Sequence, residues 1–233
     1  KQGRGVEQDF KEAAKWYRLS AKQGNYLAQN QLGSLYEHGQ GVTQDYNEAA
    51  KWYRLSAEQG YSFAQNQLGS LYEHGQGVVQ DFKESAKWYR LSAEQGNYLG
   101  QSQLGFLYEN GQGVEQDYQK AFKWYKLAAD QGFALAQTNL GLAYRNARGV
   151  VKDYKKAVKW YRLAADQGSA SAQSKLGALY SEGQGVAQDY NEAAKWYRLS
   201  AEQGNSLAQS NLGFFSTNGE GVTQDYNEAA KWY

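Results

Sequence analysis

The chain has 233 residues, 41% of them hydrophobic and 21% charged, a composition that excludes a disordered segment and fits a folded chain. Its 25 lysines and arginines against 24 acids give a formal net charge of +1, which removes the case for a dedicated nucleic-acid or membrane-surface binder. With no cysteine, disulfide scaffolds, zinc–thiolate sites and thiol nucleophiles are excluded, and no apolar run approaches the roughly 18 residues of a bilayer span.

Taken in chain order, residues 1–24 read as the tail of a repeat, a second helix ending at Gln23-Gly24. Lys1 stands inside a repeat and Tyr233 inside a helix motif, so the chain reads as an excerpt of a longer protein. Residues 25–60 show the whole unit. Helix A is expected over 26–38, a turn is bracketed by Gly39 and Gly41, helix B runs over 45–58, and Gln59-Gly60 ends it. Asp45 followed by Glu48 resembles a capping box at the start of helix B, and Arg54 with Glu58 forms an i, i+4 pair. Tyr46, Ala49, Ala50, Tyr53 and Ala57 make the stripe of an amphipathic helix, while Trp52 and Leu55 add a second apolar face. A helix with two apolar faces needs neighbours on both sides, so stability must come largely from stacking.

The unit then recurs. Trp16, Trp52, Trp88, Trp124, Trp160, Trp196 and Trp232 are spaced 36 apart, each within Lys-Trp-Tyr. The expected division is a partial repeat over 1–24, repeats over 25–60, 61–96, 97–132, 133–168 and 169–204, and a truncated one over 205–233, together one continuous solenoid domain.

Residues 28–60, AQNQLGSLYEHGQGVTQDYNEAAKWYRLSAEQG, resemble the Sel-like repeat, a relative of the tetratricopeptide repeat, and the likeness covers essentially the whole chain. The resemblance implies an all-α fold, a right-handed superhelical solenoid of antiparallel helix pairs with the A helices lining a concave groove. It also implies a scaffold or adaptor, often bacterial, sometimes acting in host contact or in envelope processes. Cysteine-rich, disulfide-stapled members exist; this chain departs from them. The compartment stays open, bacterial cytoplasm and periplasm alike.

Comparison of the copies separates framework from freedom. On a helical wheel, Ala28, Gln29, Leu32, Gly33, Leu35 and Tyr36 share one nearly invariant half. Positions 26, 30, 31, 34, 37 and 38 share the drifting half; position 27, on the same side, breaks the pattern by being mostly leucine. Position 30 reads Asn30, Asn66, Ser102, Thr138, Ser174 and Ser210; position 34 reads Ser34, Ser70, Phe106, Leu142, Ala178 and Phe214. These positions, with Arg145, are the expected partner-binding face, anchored by Phe106, Leu142 and Phe214. A plain solvated face is the competing reading.

The fourth copy departs most. Glu37 becomes Arg145, Gly39 becomes Ala147, Gln40 becomes Arg148, and Lys156 replaces the acid that follows the capping aspartate. Residues 112–168 hold ten basic against five acidic side chains; from 169 onward the ratio is four to seven. Arg145, Arg148, Lys152 and Lys156 form a solvated charged face, a basic patch for an acidic partner segment, or a contact for nucleic acid.

His38 and His74 are the only histidines, each in Tyr-Glu-His-Gly, and they lack the ligand spacing of a zinc site. No nucleophile elbow or phosphate-binding Gly-Lys-Ser/Thr occurs, and the paired carboxylates recur as caps. No catalytic group, metal or cofactor is therefore expected. The reading is a protein–protein interaction scaffold without enzyme activity; the alternative is a structural spacer or self-assembling rod that associates end to end.

Overall fold

The computed structural model describes residues 9–232; the first eight residues of the leading partial copy and Tyr233 lie outside the described residues. Thirteen α-helices and no strands occur among them. After α1 (Phe10–Lys22), A and B helices alternate: α2 (Tyr26–His38), α3 (Tyr46–Glu58), α4 (Ser62–His74), α5 (Phe82–Glu94) and α6 (Tyr98–Asn110). Then come α7 (Tyr118–Asp130), α8 (Ala134–Asn146), α9 (Tyr154–Asp166), α10 (Ala170–Glu182), α11 (Tyr190–Ala201), α12 (Ser206–Asn218) and α13 (Tyr226–Trp232). The fold class is all-α, a helical repeat solenoid. The chain falls into two compact units, one ending at Asp117 and the other beginning at Tyr118.

In the first unit, side-chain caps start every helix except α4, which begins after Tyr61 without one. The Asn25 carboxamide accepts the Ala28 N–H at 2.9 Å, and the Asp45 carboxylate accepts from Asn47 and Glu48 N–H at 2.9 and 3.1 Å. The expected capping box is only half formed. The Asp45 N–H is taken by the Tyr36 carbonyl at 2.9 Å, so Glu48 has no amide to return to. It accepts instead from Trp52 Nε1 at 3.0 Å and Lys51 Nζ at 3.1 Å. Arg54 likewise reaches past Glu58 to the Tyr72 hydroxyl of the next copy, at 2.8 Å.

Packing within a copy is close enough to exclude a methyl group. A Cβ on Gly33 would stand 2.8 Å from the Tyr53 ring, so the glycine admits the fully buried tyrosine against helix A. Between copies, Gly77 has φ +66, and a Cβ there would lie 2.0 Å from the Tyr46 carbonyl oxygen. This turn therefore rests directly on the start of the preceding B helix. Leu32, Leu68 and Leu71 fill the interior, each fully buried leucine contributing about 1.5–3 kcal/mol.

A polar ladder accompanies this core and explains the invariant glutamine of helix A. Gln29 Nε2 donates to the Ala21 carbonyl at 3.1 Å, closing the end of the preceding B helix. Its Oε1 accepts from Gln59 at 2.7 Å, and Gln65 repeats both bonds with Ala57 and Gln95. Ser56 adds a bond to the Tyr26 carbonyl at 2.7 Å.

The second unit follows the same rules. Gln137 and Gln173 carry the ladder, through Gln167 and Gln203. Its core gathers Leu140, Tyr161, Leu176 and Leu179, all fully buried. Ala147 holds φ +57, the left-handed cap that Gly39, Gly75 and Gly183 hold elsewhere. Lys156 puts a cation in the first turn of α9, where the helix dipole disfavours it, and the capping aspartate compensates. Asp153 accepts the Lys156 N–H at 2.9 Å and pairs with its ammonium at 3.3 Å. The Lys156 amide and then its ammonium hold that carboxyl below the usual carboxylate range.

Candidate functional site

The outward stripe of helix A differs from the expected one by a single wheel position. Positions 27, 31, 34 and 38, spaced i, i+4, i+7 and i+11, carry the exposed or half-exposed side chains. In the first unit Leu27 and Phe63 are exposed at position 27, and Phe106, at position 34, is 41% exposed. In the second unit Leu135 is 52% exposed, Leu142 half-buried, and Phe214 50% exposed, with Leu207 beside it on α12. Ser34, Ser70 and Ala178 are half-buried at the same place.

Position 30 turns inward. Asn66, Ser102, Thr138 and Ser174 are buried; Asn30 is half-buried, and only Ser210 is exposed. The Thr138 hydroxyl donates to the Ala134 carbonyl at 2.8 Å, within its own helix. The expectation that this position meets a partner is therefore corrected for the four buried copies. Its drift among Asn, Ser and Thr is that of a small, tightly packed polar position. Position 27 lies on the exposed side, where the wheel puts it, and its recurrent leucine is apolar surface left in water.

The four basic residues of the fourth copy go to different neighbours. Arg145 pairs with Glu182 at 3.3 Å, and Arg148 lies over the Tyr118 ring at 5.7 Å. Lys152 lies over Tyr154 at 4.8 Å, and Lys156, already paired with Asp153, lies over Tyr144 at 5.3 Å. Of these four, Arg145 belongs to the A-helix end that borders the outward stripe.

At the equivalent place in the first unit stands a carboxylate. Glu37 Oε2 accepts from the Tyr53 hydroxyl at 2.6 Å and from Gln67 Nε2 at 3.5 Å, and Tyr89 donates to Glu73 at 2.6 Å. Burial first, and then the neighbouring carboxylate, push the Tyr53 and Tyr89 hydroxyls well above the usual phenol range.

No group of three or more histidine, aspartate or glutamate side chains able to hold a metal occurs among the described residues. His38 and His74 each turn back onto their own helix, with Nδ1 at 2.9 Å from the Ser34 and Ser70 carbonyls. Two open clefts, of about 750 and 790 Å³, lie beside the turns at Gly77 and Gly221. Both are lined by the turn and the start of the preceding B helix, where the aspartate, the second glycine and the valine after it recur in every copy. No helix among the described residues is long and apolar enough to cross a membrane.

Stacked A and B helices, bonded copy to copy by glutamine and serine and presenting one face of helix A, define an α-helical repeat protein. The chain belongs to the Sel1 repeat family, which matches over residues 1–25, 27–61, 62–97, 99–133, 134–169, 170–205 and 206–233. Sel1 repeats are in general protein-interaction scaffolds.

Among solved structures, the chain is similar to a protective antigen of uropathogenic Escherichia coli strains displaying an SLR fold, with 40% identity and a TM-score of 0.90. All of this chain is covered, but only 50% of that one, so the chain spans about half the length of that relative. A Sel1 repeat protein from Oxalobacter formigenes is 32% identical with a TM-score of 0.84, covering 97% of this chain and 96% of that one. An immunity protein of Pseudomonas aeruginosa, 21% identical with a TM-score of 0.54 over 98% of this chain and 82% of that one, shares the fold alone. No curated protein matches the chain.

Proposed function

We propose that the chain is an interaction scaffold that receives a peptide or protein segment along the outward stripe of its A helices. The observation that carries this reading is the recurrence of large apolar side chains left in water on that one stripe: Leu27, Phe63 and Phe106 in the first unit, Leu135, Leu207 and Phe214 in the second. Single exposed leucines are ordinary on a protein surface, but repetition at i and i+7 of successive A helices is a row of anchors. The half-exposed polar residues at positions 31 and 37 border the row and supply selectivity.

The test compares the parent chain with a Phe106→Ser, Leu142→Ser, Phe214→Ser variant. A partner captured from lysate by the parent is identified, purified and titrated against both. Direct binding by the parent, lost in a variant with an unchanged melting curve, supports the reading. Equal affinity for both overturns it, and concentration-dependent head-to-tail chains in sedimentation velocity would replace it with a self-assembling rod.

A further inference from the structure

The fourth copy keeps the surroundings of a buried hydrogen bond and changes its centre. Around Glu37, one carboxylate oxygen is held between the Tyr53 hydroxyl and the Gln67 amide. One hundred and eight residues further on, Tyr161 takes the place of Tyr53, Lys175 that of Gln67, and Arg145 that of Glu37. Two donors are retained or strengthened, and the acceptor has become a third donor.

Tyr161 is fully buried, and its hydroxyl has no hydrogen-bond partner among the described residues. In the first unit the same hydroxyl points at the residue of position 37, which here is Arg145. Lys175 is half-buried and makes no ion pair among the described residues. Burial, and then the nearby Arg145 charge, depress the ammonium below its ordinary range, as expected of two cations with too little counter-charge between them. Arg145 is engaged by Glu182 through Nη2 alone, at 3.3 and 3.4 Å, which leaves its other N–H groups to a second acceptor. Ala178, one turn beyond Lys175, is small where Phe106 and Phe214 stand at the same position.

We propose that Tyr161, Lys175 and Arg145 form a site for a carboxylate supplied by the bound partner, in the place that the Glu37 carboxylate fills in the first copy. One oxygen accepts from the Tyr161 hydroxyl and the Lys175 ammonium; the other accepts from the free edge of Arg145. Charge-assisted bonds to a carboxylate are the stronger class, and a buried phenol without a partner gains most from one. This site rests on the scaffold reading and deepens it: the segment laid on the second unit carries an acidic side chain or its own C-terminal carboxylate.

The experiment titrates the full chain with acetyl-hexaglutamate amide, acetyl-hexaglutamine amide, and an acetylated glycine–serine hexapeptide with a free C-terminus, at about 50 mM salt. Binding of the first peptide or the third, with the glutamine peptide silent, is expected; which of the two binds distinguishes a side-chain from a terminal carboxylate. Three variants locate the site. Arg145→Glu restores the internal acceptor, so it should abolish binding and raise the melting temperature. Lys175→Gln and Tyr161→Phe should each weaken binding by about tenfold while leaving the fold intact.

Equal affinity in all three variants, equal binding of the glutamine peptide, binding of neither carboxylate probe, or a preference for a thymidine oligonucleotide would overturn the site. Capture of a partner that needs Phe214 but ignores Arg145→Glu would sink the carboxylate site and leave the scaffold standing. Loss of both would remove the two together.

Discussion

The Tyr53 hydroxyl lies 2.6 Å from Oε2 of Glu37, sixteen residues earlier in the chain, and so ties the middle of a B helix to the end of its A helix. Tyr89 and Glu73 repeat the bond, whereas Tyr161 has the same burial and no such acceptor. The contrast is a natural comparison of a buried phenol with and without its partner.

Tyr53→Phe should lower stability by about 1 kcal/mol, and Glu37→Ala, which strands the hydroxyl, by about 1–3 kcal/mol. Tyr161→Phe removes a hydroxyl that satisfies nothing, so its change should be within about 0.5 kcal/mol or stabilising. Urea denaturation midpoints of the three variants check this. A Tyr161→Phe loss as large as that of Tyr53→Phe would contradict it.

The backbone supplies a second pair. Gly77→Ala combines a left-handed backbone with a methyl driven into the Tyr46 carbonyl, and should cost more than about 2 kcal/mol. Ala147→Gly relieves the same left-handed strain at a cap that other copies give to glycine, and should stabilise by about 0.5–1 kcal/mol. Thermal melts followed by circular dichroism measure both.

Alkali should unfold the chain through its buried phenols. Burial raises Tyr53, Tyr89 and Tyr161 well above the ordinary phenol value, and pushes Tyr197 up to about 12, with Glu182 adding to the rise and Arg145 opposing it. A raised folded pKa means stability that is complete below about pH 10 and is lost as pH climbs through the folded value, each phenol contributing a slope of about 1.4 kcal/mol per pH unit. Lys175 has the opposite sign. Its depressed pKa is a cost present at neutral pH and relieved as pH rises toward the ordinary lysine value, so it does not drive the alkaline loss. Melting temperatures from pH 8 to 12, with tyrosinate absorbance at 295 nm, would show Tyr53, Tyr89 and Tyr161 ionising only with unfolding.

Serine at Phe106, Leu142 or Phe214 should lower stability by no more than about 1.5 kcal/mol, because Phe106 and Phe214 are already about half in water and Leu142 is only half-buried. A loss of several kcal/mol at any of them, seen in the same melts, would make the position structural.

Much of this was legible in the sequence because glycine and aspartate punctuate every copy. Asp45 and Gly39 fix the ends of α3 and α2 at the expected residues. What failed was orientation. A wheel drawn on helix A alone groups residues by angle but does not say where the neighbouring helices stand, so it puts position 30 on the partner-facing half although four of its copies are buried. Glu48 and Arg54 were misassigned for a related reason. Local pairing rules see only one helix, while both side chains are claimed by groups the fold brings alongside: Glu48 by Trp52, because the amide of Asp45 was already taken, and Arg54 by Tyr72. The Glu37-to-Arg145 exchange was visible in the letters. Its meaning required the phenol sixteen residues on and the lysine thirty residues on, which only stacking brings together.

The bonds between copies carry fixed offsets: Gln59 to Gln29, Ser56 to Tyr26, Gln95 to Gln65 and Ser92 to Ser62 all span thirty residues. Such a lattice is indifferent to how many copies it contains but intolerant of a fractional one. Duplication or deletion of an in-frame block of one repeat at the level of the gene leaves the glutamine bond at each junction with a correct partner, and the serine bond wherever that copy carries serine rather than Ala128 or Ala164. A single inserted codon within α3 shifts the ladder out of register at that joint. The protein can therefore lengthen or shorten by recombination between its own repeats, and the copies that carry Phe106, Arg145 and Phe214 can be reassorted without rebuilding the frame that presents them.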